Sequence, residues 1–309
     1  MCRIANNDAV TSYGYDSHGR LTAKTQTVGA AVPLTVNHDY NAAGQRILSR
    51  SPGGQTLEYQ WLANRLHAIY LNGQPLLTQI GYEVDGQING WTWGNFQTSE
   101  RHYDLAGRVV SVSLGFDAAT QLADTRYYSY DRAGRLIDAI DDVDPALNQH
   151  YDYDELDRLI GSQRGAMASR TGTTQDDAVV ENYHTAADSN RLQSRSGAKN
   201  VSYSYDAAGN LLSDGVFNYR YNAAGRLVAA AGAGQTIGYG YDAIGQRVGK
   251  TVAGHLTQYF YDEQGHLAGE YDAGGQLIQE IIWLNDWPVA VLKPGAAPTP
   301  DVYATRRGA

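Results

Sequence analysis

The sequence predicts an all-β protein, built from β-hairpins repeated along one long, curling antiparallel ribbon. Three observations carry that prediction. Glycine and tyrosine are far out of proportion, with 34 Gly and 23 Tyr against 4 Phe and 2 Met, where an ordinary core leans on Leu, Ile and Phe. A short unit, Tyr-Asp/Asn-x-x-Gly-x followed by an aliphatic residue, recurs along almost the whole chain. A second aromatic stands two residues ahead of many of these tyrosines, at Tyr13, Tyr128, Tyr151, Tyr203, Tyr219, Tyr239 and Tyr259. That spacing puts both rings on one face of a strand.

Taken in order, Tyr15, Asp16 and Gly19 lead to Leu21, and Tyr40, Asn41 and Gly44 lead to Ile47. Tyr103, Asp104 and Gly107 precede Val109; Tyr130, Asp131 and Gly134 precede Leu136. The second half is more regular, with Tyr205, Asp206, Gly209, then Tyr221, Asn222, Gly225, then Tyr241, Asp242, Gly245, then Tyr261, Asp262, Gly265. Tyr271, Asp272 and Gly275 follow, and degenerate copies begin at Tyr59, Tyr82, Tyr153 and Tyr183. Each position has a local reason. The Asp or Asn accepts from a backbone N–H two residues on and starts a turn. Gly supplies the positive φ that closes a type I turn with a bulge. The aliphatic residue then opens the return strand.

About a dozen hairpins make roughly 24 strands, a ribbon on the order of 115 Å wide at about 4.8 Å per strand. Sheets of more than about ten strands twist and curl. Each repeat is expected to touch mainly its neighbours, as in a solenoid. Residues 1–12 read as a ragged start, 13–292 as the repeat array, and 293–309 as a linker-like, truncated end containing Pro294, Pro298 and Pro300. Within the array, about 165–200 reads as an inserted loop with a short helix around Asp177–Asn182. Asp138–Asp144, ending at Pro145, reads as a smaller acidic interruption.

Composition narrows the function. A formal charge of −9 argues against nucleic acid, which needs a surplus of Lys and Arg. One cysteine, Cys2, excludes an internal disulfide framework and a Cys-rich zinc site. No apolar run is long enough for a membrane span, and no apolar segment near Met1 forms a secretory signal.

Candidate chemistry is sparse, and no cofactor is expected. Gly245-Gln246-Arg247-Val248-Gly249-Lys250-Thr251 approaches a phosphate-binding loop, but with three residues between the glycines instead of four, and on a return strand. Asp138, Asp141, Asp142 and Asp144 offer carboxylates to calcium, yet lack the calcium-loop spacing and central Gly; a solvated acidic loop is the plainer reading. Asp144-Pro145 reads as a turn. The eight histidines form no His-x-x-x-His pair, and no Gly-x-Ser-x-Gly elbow occurs. Trp61, Trp91, Trp93, Trp283 and Trp287 could stack on sugars, with Trp91 and Trp93 the leading candidates; the alternative is cross-strand packing. Asn200-Val201-Ser202 matches a glycosylation acceptor.

The Tyr-Asp-x-x-Gly-x-Leu units resemble those of the Rhs, or YD-repeat, family over nearly all of 13–292. Gly90-Trp91-Thr92-Trp93-Gly94-Asn95, Ser189-Asn190-Arg191-Leu192 and Trp283-Leu284-Asn285-Asp286-Trp287-Pro288-Val289 resemble further segments of its bacterial members. The resemblance implies a β-ribbon spiralling into a hollow shell, which in bacteria encloses a variable C-terminal toxin used against competitors or hosts. In the related animal teneurins the shell stands outside the cell, in adhesion. The partners it implies are the remainder of the shell and that toxin. It implies manufacture in the cytoplasm, with relatives exported or at the cell surface. Family members continue past the Trp-Leu-x-Asp-x-Pro-Val segment into a His-x-Asp-His-Leu run and a self-cleavage site. Here Asp301-Val302-Tyr303-Ala304-Thr305 follows, so the expectation is a non-enzymatic, truncated segment of the shell, with a carbohydrate-binding or adhesion module as the alternative.

Overall fold

The motif turns the chain by satisfying its own backbone. The computed structural model describes residues 2–117, 122–165, 179–197 and 199–295. In it Gly134 N–H donates to the Asp131 carbonyl at 3.0 Å, and Asp131 N–H to the Arg135 carbonyl at 3.0 Å. The carboxylate Oδ1 of Asp131 accepts from Ala133 N and Arg135 N, both at 2.9 Å. The first of these bonds is the one the spacing predicts; the second, four residues on, closes the turn from its far side. The nine glycines of the regular copies have φ between +70° at Gly225 and +95° at Gly245, where an L side chain is strained. The ladder slips register just before the motif tyrosine, as at Gly14/Tyr15, Ser129/Tyr130 and Gly240/Tyr241. That is the bulge the turn requires.

Repetition of this turn gives 28 strands among the described residues, one 3-10 turn at Pro145–Leu147, and no α-helix. The strands from Cys2 to Ser202 belong to an 18-stranded sheet and those from Ser204 to Leu292 to a 10-stranded sheet. Successive strands pair antiparallel, as from Leu34–Tyr40 to Arg46–Arg50 and from His255–Tyr261 to Leu267–Asp272. The apparent phosphate loop lies on the strand Arg247–Val252, a return strand and not a strand-to-helix turn.

The chain divides into two compact units. The first comprises Met1–Gln87, Trp91–Gln97 and Leu227–Ala309; the second comprises Ile88–Gly90 and Thr98–Arg226. Within the first unit the early hairpins lie against the late ones. Leu34, Val36, Phe260 and Tyr271 form one buried cluster, with Ala268 and Leu277 packed on it, and Ala9, Val28 and Val248 form another. Full burial of such side chains contributes roughly 1.5–3 kcal/mol each. The expectation that repeats touch mainly their neighbours therefore fails here. A sheet with aliphatic residues on one face must cover that face, and partners some 220 residues away supply the cover.

Three expectations about boundaries are corrected. Residues 2–12, read as ragged, contain the strand Cys2–Ala5 and the start of Ala9–Tyr15, paired Arg3 to Ser12. In the stretch read as an inserted loop, Val179–Thr185 and Leu192–Gly197 form a further antiparallel pair. A strand thus stands where part of the helix at Asp177–Asn182 was expected, because Val179 and Val180 suit an extended chain. Thr171–Asp177 and the tail beyond Gly295 lie outside the described residues. Finally, the degenerate copies at Tyr59 and Tyr183 are displaced by two: the register slip falls before Trp61 and before Thr185, so Tyr59 and Tyr183 hold the place of the preceding aromatic.

Candidate functional site

The tyrosines of the motif do more than fill a strand face. Tyr40 Oη donates to the Leu21 carbonyl at 2.8 Å, the residue that opens the return strand of the hairpin before it. The same bond recurs in the first unit from Tyr82 to Leu66, Tyr241 to Leu227 and Tyr261 to Arg247. In the second unit it runs from Tyr103 to Ile88, Tyr130 to Val109, Tyr153 to Leu136 and Tyr205 to Leu192. The lengths span 2.7 to 3.0 Å. Each bond joins one hairpin to the next. Trp61 and Trp283 do the same with an indole N–H, to Arg46 and Leu267, both at 2.9 Å.

At Arg20, Arg108 and Arg135, each directly after a motif Gly, a second link forms. Arg108 Nε bonds its own Asp104 Oδ2 at 2.7 Å, and its guanidinium lies 4.6 Å from the Tyr130 ring centre. Arg20 over Tyr40 and Arg135 over Tyr153 repeat it at 5.0 Å, within cation–π reach. Arg20 and Arg135 also donate to the Asn41 and Asp154 carbonyls of the next turn. The hydrogen bonds from the residue four positions on hold the motif carboxyls below the ordinary range. Its main-chain N–H leads for Asp16, Asp131 and Asp154, and its side chain for Asp104 and Asp206. Asn41 and Asn222 make the same main-chain contacts without charge. Asp242 and Asp262 accept from the N–H groups two and four residues on.

A second constellation joins early and late hairpins of the first unit. Lys24, 4% exposed, donates to the Tyr261 carbonyl at 2.8 Å; burial lowers its pKa, against the pull of Glu263, Asp262 and Asp242. Gln26 Nε2 donates to the Tyr259 carbonyl at 2.8 Å. Glu280 Oε1 accepts from Tyr271 Oη at 2.6 Å and from Gly53 N at 2.9 Å. Burial pushes Glu263 up, but His38, Arg46 and Lys24 together hold it at about 2. Lys24, Gln26, Glu263 and Glu280 do not stand out in the sequence, because hydrogen-bond partners 217 to 237 positions apart leave no local signal.

The remaining candidates are accounted for. Trp91 and Trp93, offered as glycan platforms, are only 4% and 5% exposed, and pack edge to face with ring centres 5.5 Å apart. Their faces are not open to a sugar. The glycines on either side explain the burial, since a Cβ on Gly94 would lie 2.0 Å from the Pro75 carbonyl oxygen. The acidic turn is not simply solvated: Asp141 is 3% exposed, bonded to Arg126 at 3.2 Å and to the N–H groups of Val143 and Asp144. Asp138 bonds His150 at 2.6 Å, and Asp144 caps the 3-10 turn. Asp124, Asp141 and Asp142 bring carboxylate oxygens within 4.8 Å of one another, with Arg126 supplying the countercharge. Among the described residues no helix is long and apolar enough to cross a membrane.

The family model of the teneurin YD-shell matches residues 123–283, just over half of the chain. The chain belongs to the teneurin YD-shell family. Toxin protein Tse5 of Pseudomonas aeruginosa PAO1 is 29% identical over 176 residues, which are 53% of this chain and 12% of that protein. The structure of the Photorhabdus luminescens Tc holotoxin pore, carrying a TccC3 point mutation, superposes with a TM-score of 0.63 at 14% identity, over 92% of this chain and 20% of that one. TcdB2-TccC3 without its hypervariable C-terminal region gives 0.61 at 13% identity, over 91% and 20%. At such identities the likeness is one of fold. This YD-shell chain spans about an eighth of Tse5 and a fifth of the structural relatives.

Proposed function

We propose that the chain is a structural, non-enzymatic segment of a shell that encloses a C-terminal toxin delivered against competing bacteria or a host. The observation that carries this reading is the bond from eight of the motif tyrosines to a carbonyl of the preceding hairpin. It ties repeat to repeat and commits to wall construction the recurring tyrosines that make it. Membership of the YD-shell family and the likeness to Tse5, a toxin protein, support the same role.

The test is a chimaera in which this chain replaces the matching fifth of the TcdB2-TccC3 chain. If the segment builds wall, cargo at the C-terminus stays protected from added protease. Digestion of the cargo in a correctly assembled chimaera would overturn the proposal. Long incubation of the purified chain, read on a denaturing gel, checks the non-enzymatic part, with one stable band expected. The carbohydrate-binding alternative has Trp91 and Trp93 as its leading stacking platforms, and both indoles are buried.

A further inference from the structure

A cavity of about 100 Å³ lies in the first unit, between the strands Leu34–Tyr40 and Arg46–Arg50 on one side and the late strands from His255 to Leu292 on the other. Much of its wall is hydrocarbon, from Val36, Leu57, Phe260, Ala268, Ile282 and Leu292. One end is polar. His38 is 5% exposed, and its Nδ1 lies 2.8 Å from Ser49 Oγ. Its buried Nε2 has no hydrogen-bond partner and stands 3.6 Å from Glu263 Oε1. That gap is too long for a hydrogen bond, and a buried polar nitrogen left without one is costly. Glu263 Oε2 is 3.3 Å from Arg46 Nη1.

We propose that this cavity binds a small apolar molecule carrying one hydroxyl group, of the phenol class, with its oxygen bridging His38 Nε2 and Glu263 Oε1 from the cavity side. When Ser49 donates its hydroxyl proton to Nδ1, the ring carries its own proton on Nε2. A ligand oxygen then accepts from Nε2–H and donates to the carboxylate. His38 itself, with Arg46 and Lys24, keeps Glu263 ionised and therefore an acceptor. A bare hydrocarbon satisfies neither group. A carboxylate would meet Glu263, and an ammonium group would meet Arg46. At about 100 Å³ the space is smaller than the apolar cavity of about 150 Å³ that takes up benzene, but it is not closed, so a single ring can lie partly outside it. The site exists only while early and late hairpins are packed together, so a ligand there stabilises the unit by mass action.

Phenol and toluene, equal in heavy atoms, are the probes, used on the whole chain. Phenol is expected to raise the thermal midpoint by a few degrees once well above its Kd and to move the His38 imidazole resonances, with toluene doing neither. Equal effects from both would overturn hydroxyl recognition, and silence from both would overturn the site. Glu263→Gln is expected to abolish the phenol response; its retention would also overturn the proposal. Should that variant not fold, the phenol–toluene difference in the unaltered chain still decides.

Discussion

Tyr130 Oη donates to the Val109 carbonyl at 2.8 Å while Arg108, held by Asp104, lies over the same ring. One aromatic side chain is thus gripped at its edge and on its face by the hairpin before it. Strand pairing alone fixes each hairpin to the next along the backbone; this contact adds a side-chain constraint on how they are set. A wall assembled from many such units gains register from it.

Tyr130→Phe removes the edge bond and keeps the ring. The expected loss is about 1 kcal/mol, read as a lower midpoint in denaturant. Tyr15→Phe, at a ring 49% exposed, should change the midpoint by less than about 0.5 kcal/mol. Combining Tyr130→Phe with Arg108→Ala should show coupling of roughly 0.5–1 kcal/mol. Strict additivity would separate the two grips.

Asp157 occupies the place of the motif glycine with φ +61°. Asp157→Gly is expected to stabilise by up to about 1 kcal/mol, since the ion pair it gives up with Arg135 is 73% exposed on the Asp157 side and contributes little. The reverse exchange, Gly134→Ala at φ +84°, should destabilise by about 1–2 kcal/mol. Thermal unfolding of the two variants, compared with the parent, checks both signs.

Gly94 sits where a Cβ would meet the Pro75 carbonyl at 2.0 Å. Because the obstacle is backbone, Gly94→Ala is expected to cost more than about 3 kcal/mol and to expose Trp93, visible as a red shift of tryptophan emission. An unchanged spectrum with parental stability would contradict this packing.

Acid and alkali should act through different residues. Asp16, Asp104, Asp131, Asp154 and Asp206 have depressed pKa values, so their contribution is complete above the ordinary 3.8 and fades as pH falls below it. Burial pulls His266 down, but Asp262 and Asp286, each 3.0 Å away, raise it overall. Its contribution is complete below the ordinary 6.5 and fades as pH rises through the raised value. Stability against pH should therefore be flat between these limits and fall on both sides; because Asp138 raises His150 as well, His266→Gln should reduce the alkaline limb without abolishing it and leave the acid limb unchanged.

The turns were legible because their causes are local: Asp131 and Gly134 stand three residues apart and act on the five residues around them. Trp61 and Trp283 were not legible as tyrosine equivalents, since an indole N–H replaces a phenol O–H only through geometry. The burial of Trp91 and Trp93 was equally hidden, because nothing in their order tells a packed ring from an open one. Lys24 and Gln26 carried no signal either. A lysine and a glutamine alternating on a strand read as a solvated face, and only the late hairpins, with the Tyr259 and Tyr261 carbonyls, turn that face inward.

Native-state hydrogen exchange, resolved by residue, is the most direct check that early and late hairpins of the first unit share one core. Amides of Leu34–Tyr40 and of His255–Tyr261 should open with a common free energy, and Lys24→Met, which removes the donor to Tyr261, should lower both together. If the late hairpins instead exchange freely while the early ones stay protected, the shared core is contradicted.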